Sequence, residues 1–166
     1  MSFVDPNIPL NVVSPLFYFQ SSKKAVPNNQ FYNIIFHNTK VSRILAILNT
    51  FVWWCDLPAS APTAWLYTSM NPEIPASASA GVIHNTILGG TAASGLLIHE
   101  YVGERAAGPH SPAGDRAMLL ETGRNEYTNW HVGIPPGYAI GVSFESIGPE
   151  KSVAARYLWA ESPIRS

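Results

Sequence analysis

The sequence predicts an all-β fold: an antiparallel β-sandwich, jelly-roll-like in its winding, with an extended N-terminal arm. Three observations carry that expectation. First, Asn129 to Ser146 (N-W-H-V-G-I-P-P-G-Y-A-I-G-V-S-F-E-S) alternates in character on both sides of a Pro-Pro-Gly break, and period two is the signature of a half-buried strand. Second, eight or nine short runs rich in β-branched and aromatic residues recur at fairly even spacing, separated by Gly, Pro and Asn, as in sandwiches and jelly rolls. Third, no convincing helix and no internal repeat is visible in the 166 residues.

Residues 1–29 are expected to form the arm and 30–166 the sandwich. Pro6, Pro9, Pro15 and Pro27 each remove a backbone donor and push the preceding residue toward extended geometry. Phe3, Ile8, Leu10, Val13, Leu16, Phe17 and Phe19 are apolar nonetheless, whereas a disordered linker would be polar. A segment of this kind needs a surface. Two surfaces are open to it: its own domain, as an edge strand, or a neighbouring subunit, where those seven side chains would form the interface.

The body begins at Gln30. Phe31 to Phe36 reads as a strand and His37-Asn38-Thr39-Lys40 as a turn. Val41 to Cys55 is ambiguous, because Val41, Ile44, Leu45, Leu48, Phe51, Val52 and Cys55 fit a helical face while Ile47, Thr50, Val52 and Trp53-Trp54 have β character. The hairpin chemistry just before it favours strand. Thr63–Ser69, Val82–Leu88, Leu96–Val102 and Arg116–Thr122 follow as strands, with loops rich in small residues between them. Around Pro135-Pro136-Gly137, Trp130 to Ile134 and Tyr138 to Phe144 are expected to be two strands joined by a sharp corner. In the second, Tyr138, Ile140, Val142 and Phe144 make a large apolar face and Ala139, Gly141, Ser143 and Glu145 a small or polar one. Ser152 to Glu161 closes the sheet with Val153, Ala155, Tyr157 and Trp159 on one side.

Apolar residues form 46% of the chain and charged residues 13%, with a net charge of −1. That charged share is about half the usual one for a soluble domain, so the chain hides surface in an assembly or relies on Ser, Thr and Asn for solubility. No Lys/Arg run exists to capture nucleic acid. The single cysteine, Cys55, forms no internal disulfide and reads as a small core residue. The first residues lack a basic region and an unbroken apolar run, so no secretory leader is expected. Ile44 to Leu57 is too short and too polar to span a bilayer.

The order of features resembles a known class. F-Y-N-I-I-F-H-N-T is followed by V-S-R-I-L-A-I-L-N-T, W-L-Y-T, I-H-N-T-I-L-G-G-T-A-A-S, I-P-P-G-Y-A-I-G-V-S-F and R-Y-L-W-A-E. Over roughly residues 30–161 this is similar to the small all-β structural proteins of tailed bacteriophages, the head decoration or cement class. The resemblance implies a capsid-surface protein, made in the host cytoplasm and carried on the virion. It also implies a trimer that bridges major capsid protein subunits, with no cofactor and no catalytic residues.

Candidate chemistry is sparse. His99-Glu100 with Glu104 hints at a metal pair, but neighbours in a strand face opposite sides. His37, His84, His110 and His131 show no ligand spacing. Asp115 and Glu121 beside Arg116 and Arg124 read as surface pairs. G-G-T-A-A-S-G lacks the Lys and the helix of a phosphate cradle and reads as a mobile loop. A cupin-like enzyme would need clustered His and Glu that this spacing does not supply. Of Trp53 and Trp54, one must point away from the core if the segment is a strand. An outward ring would be an interface anchor or a stacking platform for a sugar. The expected function is therefore a capsid decoration protein, and the alternative is a phage fibre or spike module that recognises host glycans.

Overall fold

The structure, a computed structural model, describes residues 16–55, 63–69, 74–86, 93–105, 107, 116–119, 126–127, 132–146 and 150–164; of 54, 55, 63–69, 116–119, 126, 127 and 151 it describes the backbone alone. Thirteen strands and no helix occur among these residues. They are β1 (Leu16–Gln20), β2 (Lys24–Val26), β3 (Phe31–Asn38), β4 (Ile44–Cys55), β5 (Thr63–Ser69), β6 (Ser79–Ala80) and β7 (Ile83–Asn85). Then come β8 (Leu96–Gly103), β9 (Arg116–Leu119), β10 (Glu126–Tyr127), β11 (Val132–Ile134), β12 (Ala139–Glu145) and β13 (Lys151–Pro163).

The strands form two antiparallel sheets packed face to face, a β-sandwich as the alternation implies. A seven-stranded sheet runs β10-β4-β13-β1-β7, with β11 also on β4 and β2 also on β13. A six-stranded sheet runs β6-β8-β3-β12-β5-β9. The core between them is aromatic. Phe17, Phe19, Phe51, Trp53, Tyr157 and Trp159 come from the first sheet, and Tyr32, Phe36 and Phe144 from the second. Tyr157 stands at its centre. Its ladder partners Phe51 and Phe19 flank it within its own sheet, and its ring lies 4.6 Å from Phe51, 6.4 Å from Phe19 and 4.5 Å from Phe36 across the interface.

The arm boundary at residue 29 is corrected. Leu16–Gln20 is an interior strand, paired with β13 on one side and β7 on the other. Phe17 and Phe19 are each 1% exposed and sit in the core, so neither is an interface side chain. The reason is registry: alternate residues of β1 drop into the slots beside Trp159 and Tyr157. β2 likewise pairs with β13 and buries Val26. Phe3, Ile8, Leu10 and Val13 lie outside the described residues.

The ambiguous segment is a strand, β4, paired with β13 from Ile44 opposite Pro163 to Cys55 opposite Val153. The register shifts at Leu158/Trp159, which leaves Asn49 without a partner on β13. This is a β-bulge. Before it Ala46 and Leu48 face the core; after it Phe51 and Trp53 do. The inward positions thus change from even to odd numbers in the middle of one strand.

The Pro-Pro-Gly corner joins the two sheets rather than two strands of a hairpin, since β11 pairs with β4 and β12 with β3 and β5. Tyr138 N–H donates to the Pro135 carbonyl at 3.2 Å, and Gly137 has φ +85°. Pro at the first central position and a left-handed residue at the second define a type II turn. Tyr138 falls outside β12 and is exposed, so the apolar face of that strand is Ile140, Val142 and Phe144. The expected turn at His37-Asn38 is also displaced: both residues extend β3. Asn38 is fully buried, and its Nδ2 donates to the carbonyls of Ile44 at 2.9 Å and Ile134 at 2.7 Å. One amide therefore ties β3 to the first residue of β4 and the last of β11.

Two stability predictions follow from this packing. Asn38→Ala strands two carbonyls and should cost about 2–6 kcal/mol, summing roughly 1–3 kcal/mol for each desolvated group. Tyr157→Phe should be neutral or slightly stabilising, because the Tyr157 hydroxyl is buried without a hydrogen-bond partner, whereas Tyr157→Ala should cost about 3–5 kcal/mol through the cavity left at the centre. Denaturant unfolding of the three variants tests both, and a Tyr157→Phe loss near that of the Ala variant would contradict the assignment.

Candidate functional site

The outer face of the seven-stranded sheet is the surface with the most binding character. Register and alternation set its composition. β1 contributes Leu16, Tyr18 and Gln20, and β13 contributes Arg156, Leu158 and Ala160. β4 contributes Leu45 and Ile47 before the bulge and Thr50 and Val52 after it. Tyr18, Gln20, Thr50, Val52, Arg156 and Leu158 line an open groove of about 480 Å³. The aliphatic side chains here are half-buried, and no described segment lies over the groove they line. Among the described side chains of this face, Arg156 alone carries a permanent charge.

The polar groups in the groove are prearranged. Arg156 donates from Nε at 3.2 Å and from Nη2 at 2.8 Å to the same oxygen, Gln20 Oε1. A guanidinium has five donors in a planar fork, and this pairing orients the group while using two of them. Tyr18 stacks on His84 of β7 with ring centroids 4.7 Å apart and an interplanar angle of 18°. A fixed cation, a broad aromatic plane and an aliphatic floor can grip a carboxylate carried among apolar groups.

Trp53 was a candidate interface or glycan residue and is neither by position. It is 2% exposed and its ring lies 5.5 Å from that of Phe144 in the opposite sheet. Strand alternation, resumed after the bulge, turns it inward. Trp54 follows it in β4 opposite Ala154, and its side chain lies outside the described residues. Leu16, predicted for the arm interface, is half-buried at the entry to β1. Reading the sequence for tryptophans thus missed the groove. Its signal was the outward half of three strands, which becomes visible only once the bulge phase is known.

The outer face of the six-stranded sheet is different, because Arg105 and Ala107, after β8, cover its middle. Ala107 N–H donates to Ser143 Oγ at 2.9 Å, Ser143 Oγ donates to Asn33 Oδ1 at 2.5 Å, and Asn33 Nδ2 donates to the Arg105 carbonyl at 2.9 Å. Asn33 and Ser143 are fully buried beneath Arg105 and Ala107. A Cβ on Gly141 would come within 2.7 Å of Ala107 Cβ, which explains a glycine in mid-strand. Two histidines border this layer. His37 on β3 and His99 on β8 are near neighbours across the ladder, since His37 pairs with Leu97 and His99 with Ile35. Burial lowers the pKa of both, and His99 is lowered further by His37. His99 Nε2 is buried without a hydrogen-bond partner.

Two carboxylates point into the sandwich. Glu100, next to His99 but on the other side of β8, meets Lys24 Nζ of β2 at 3.0 Å and so bridges the two sheets. Glu161 is 4% exposed. It accepts Trp159 Nε1–H at 2.9 Å, Gly95 N–H at 2.9 Å and the Ser94 hydroxyl. The end of the G-G-T-A-A-S-G segment is therefore anchored to β13 at Ser94 and Gly95. That corrects the expectation of a mobile loop for those two residues.

No family model, no curated protein and no solved structure matches this chain.

The histidine geometry generates a pH prediction. A histidine whose folded pKa lies below its unfolded value of about 6.5 favours the folded state above that pH, and the contribution is lost as pH falls below it toward the folded value. The melting temperature should therefore decline from pH 7 to pH 5. His99→Gln should flatten that decline, measured as the difference between variant and native curves. An unchanged slope would mean that His99 is not buried in the folded protein.

Proposed function

We propose that this chain is a non-enzymatic structural protein of a virion: a decoration or cement subunit with a jelly-roll-like body that binds the assembled head shell of a tailed phage. The observation that supports this best is the outer face of the seven-stranded sheet, whose described groove-lining side chains are half apolar with Arg156 as their one permanent charge, in a chain with 13% charged residues. An open groove with an apolar floor on a sheet face suits association with another molecule. The resemblance of residues 30–161 to the cement class supplies the partner, the major capsid protein on the virion surface. A trimer would match local three-fold positions of a shell.

The mechanism is linkage. A ligand that binds the assembled lattice and not its free subunits stabilises the lattice by RT ln(1 + [L]/Kd). Contacts that bridge two lattice subunits make the second an intramolecular event and slow loss from the shell. The arm contributes as residues 1–15, with Phe3, Ile8, Leu10 and Val13 as its apolar contacts.

The glycan-recognition alternative loses Trp53 as its platform, although the Tyr18–Arg156 groove has stacking and hydrogen-bonding groups that a sugar could use. One experiment separates the two. Leu158→Asp places a carboxylate in the groove floor at a half-exposed site. It should melt within a few degrees of the native chain and lose at least about tenfold in affinity for undecorated phage shells in a co-sedimentation assay, an increment of about 1.4 kcal/mol. Native protein that ignores shells yet saturates on a glycan panel, with that binding lost in the variant, would replace the cement reading with the glycan one.

A further inference from the structure

We infer that the end of the sandwich where β3 turns into β4 is a contact surface for an anionic phospholipid bilayer, with Val41 as the side chain that enters the interface. This goes beyond the proposal above, since it concerns a different surface from the groove.

The distribution of exposed apolar side chains points to this end. Five large ones are strongly exposed among the described residues: Val41, Val82, Leu97, Tyr138 and Ile164. All but Val82 lie where β3 ends. Leu97 is on β8 opposite His37, Val41 follows β3, Tyr138 precedes β12 and Ile164 follows β13. Single exposed apolar residues are ordinary when scattered, and these are gathered. Lys40 and Val41 are the central residues of a turn closed by Ser42 N–H to the Thr39 carbonyl at 3.0 Å, and Val41 is 88% exposed. Backbone hydrogen bonds fasten the neighbours to this turn. Gly137 N–H donates to the Asn38 carbonyl at 2.8 Å, Asn38 N–H to the Tyr138 carbonyl at 2.9 Å and Ile164 N–H to the Arg43 carbonyl at 2.9 Å. The tip, the Pro-Pro-Gly corner and the exit of β13 are therefore held side by side.

Charge selects the occupant. Lys40 and Arg43 stand on either side of Val41 in the sequence, both are exposed, and neither forms an ion pair with a described residue. The described carboxylate at this end, Glu161, is 4% exposed and taken up by Trp159, Gly95 and Ser94. Glu104, Glu145 and Glu150 stand at the opposite end, around Phe31 and Lys151. Glu126 is placed opposite Val52, far down β4 from Ile44. The exposed charges described at the tip are thus both positive, which suits an anionic surface. The shape narrows the choice further. A convex apolar tip would need a matching pocket in a protein partner, whereas a fluid bilayer needs none. An aliphatic apex, a neighbouring phenol and two cations on long stems supply the kinds of contact that a bilayer interface accepts.

The test is flotation of the full chain with two kinds of vesicle, phosphatidylcholine alone and equimolar phosphatidylcholine and phosphatidylglycerol. The native chain should float with the anionic vesicles, not with the neutral ones, and added salt should release it. A chain carrying Lys40→Glu and Arg43→Glu should partition about twentyfold less or weaker still, each basic residue near an anionic surface being worth about fivefold. Val41→Asp should lose binding although both cations remain, and Val41→Trp should bind more tightly than native. These positions are exposed, so every variant should melt within a few degrees of native. Leu158→Asp, in the groove, should bind vesicles as the native chain does. Native protein that ignores the anionic vesicles overturns the inference. If Val41→Asp then weakens co-sedimentation with phage shells, the tip belongs to a protein contact instead. Val41→Asp that floats like native also overturns it, as does competition by soluble glycerol phosphate, which would mark a discrete phosphate site. Vesicle binding with the expected variant pattern sustains the inference whether or not shells are bound, so the two proposals stand or fall separately.

Discussion

The stacking around Tyr157 is the constraint on which the fold rests. β13 is the strand that touches β1, β2 and β4, and Tyr157 is where it also meets the second sheet through Phe36. Phe36 in turn lies 6.0 Å from Trp159 and 6.4 Å from Phe19. Aromatic pairs prefer offset or edge-on geometries and add to the benefit of burial. A cluster of this kind therefore fixes how the two sheets are placed as well as that they touch. β1 cannot slip by one residue against β13 without turning Phe17 and Phe19 outward and Tyr18 inward. The outer groove thus inherits its composition from the inner stack: the register that buries Phe19 is the one that presents Tyr18 and Gln20 beside Arg156.

Much of the sandwich was legible because period two is a local property. β5 begins and ends where the alternation places it, and β8, β12 and β13 differ from expectation by a residue or two. β4 was ambiguous for a physical reason. The bulge at Asn49 shifts the inward phase, so Leu48 and Phe51 both face the core at a spacing of three. A strand with one bulge imitates a helical stripe. The N-terminal boundary failed for a different reason. Prolines at 6, 9 and 15 make the region look extended and unpaired, but a strand needs a partner ladder, and the partner of Leu16–Gln20 lies at the far end of the chain. Pairing over that separation leaves no local trace. The same holds for Asn38, which looks like a turn residue and acts as a buried tie between three strands.

The two outer faces show how one alternation can serve opposite ends. On the six-stranded sheet, small residues at Gly141 and Ser143 admit a strap, and the buried Asn33–Ser143 pair satisfies it. The middle of that face, at Ile35, Ala139 and Gly141, is covered by Ala107 of its own chain. On the seven-stranded sheet the outward residues are larger and mostly aliphatic, and no described segment lies over the groove.

The adjacency of β1 and β13 has a consequence for timing in the cell. The first described strand completes its ladder only with the last, so the central aromatic stack cannot assemble until β13 has left the ribosome. Long-range pairing of this kind folds slowly. A chain cut short of β13 would therefore never display the finished outer surface.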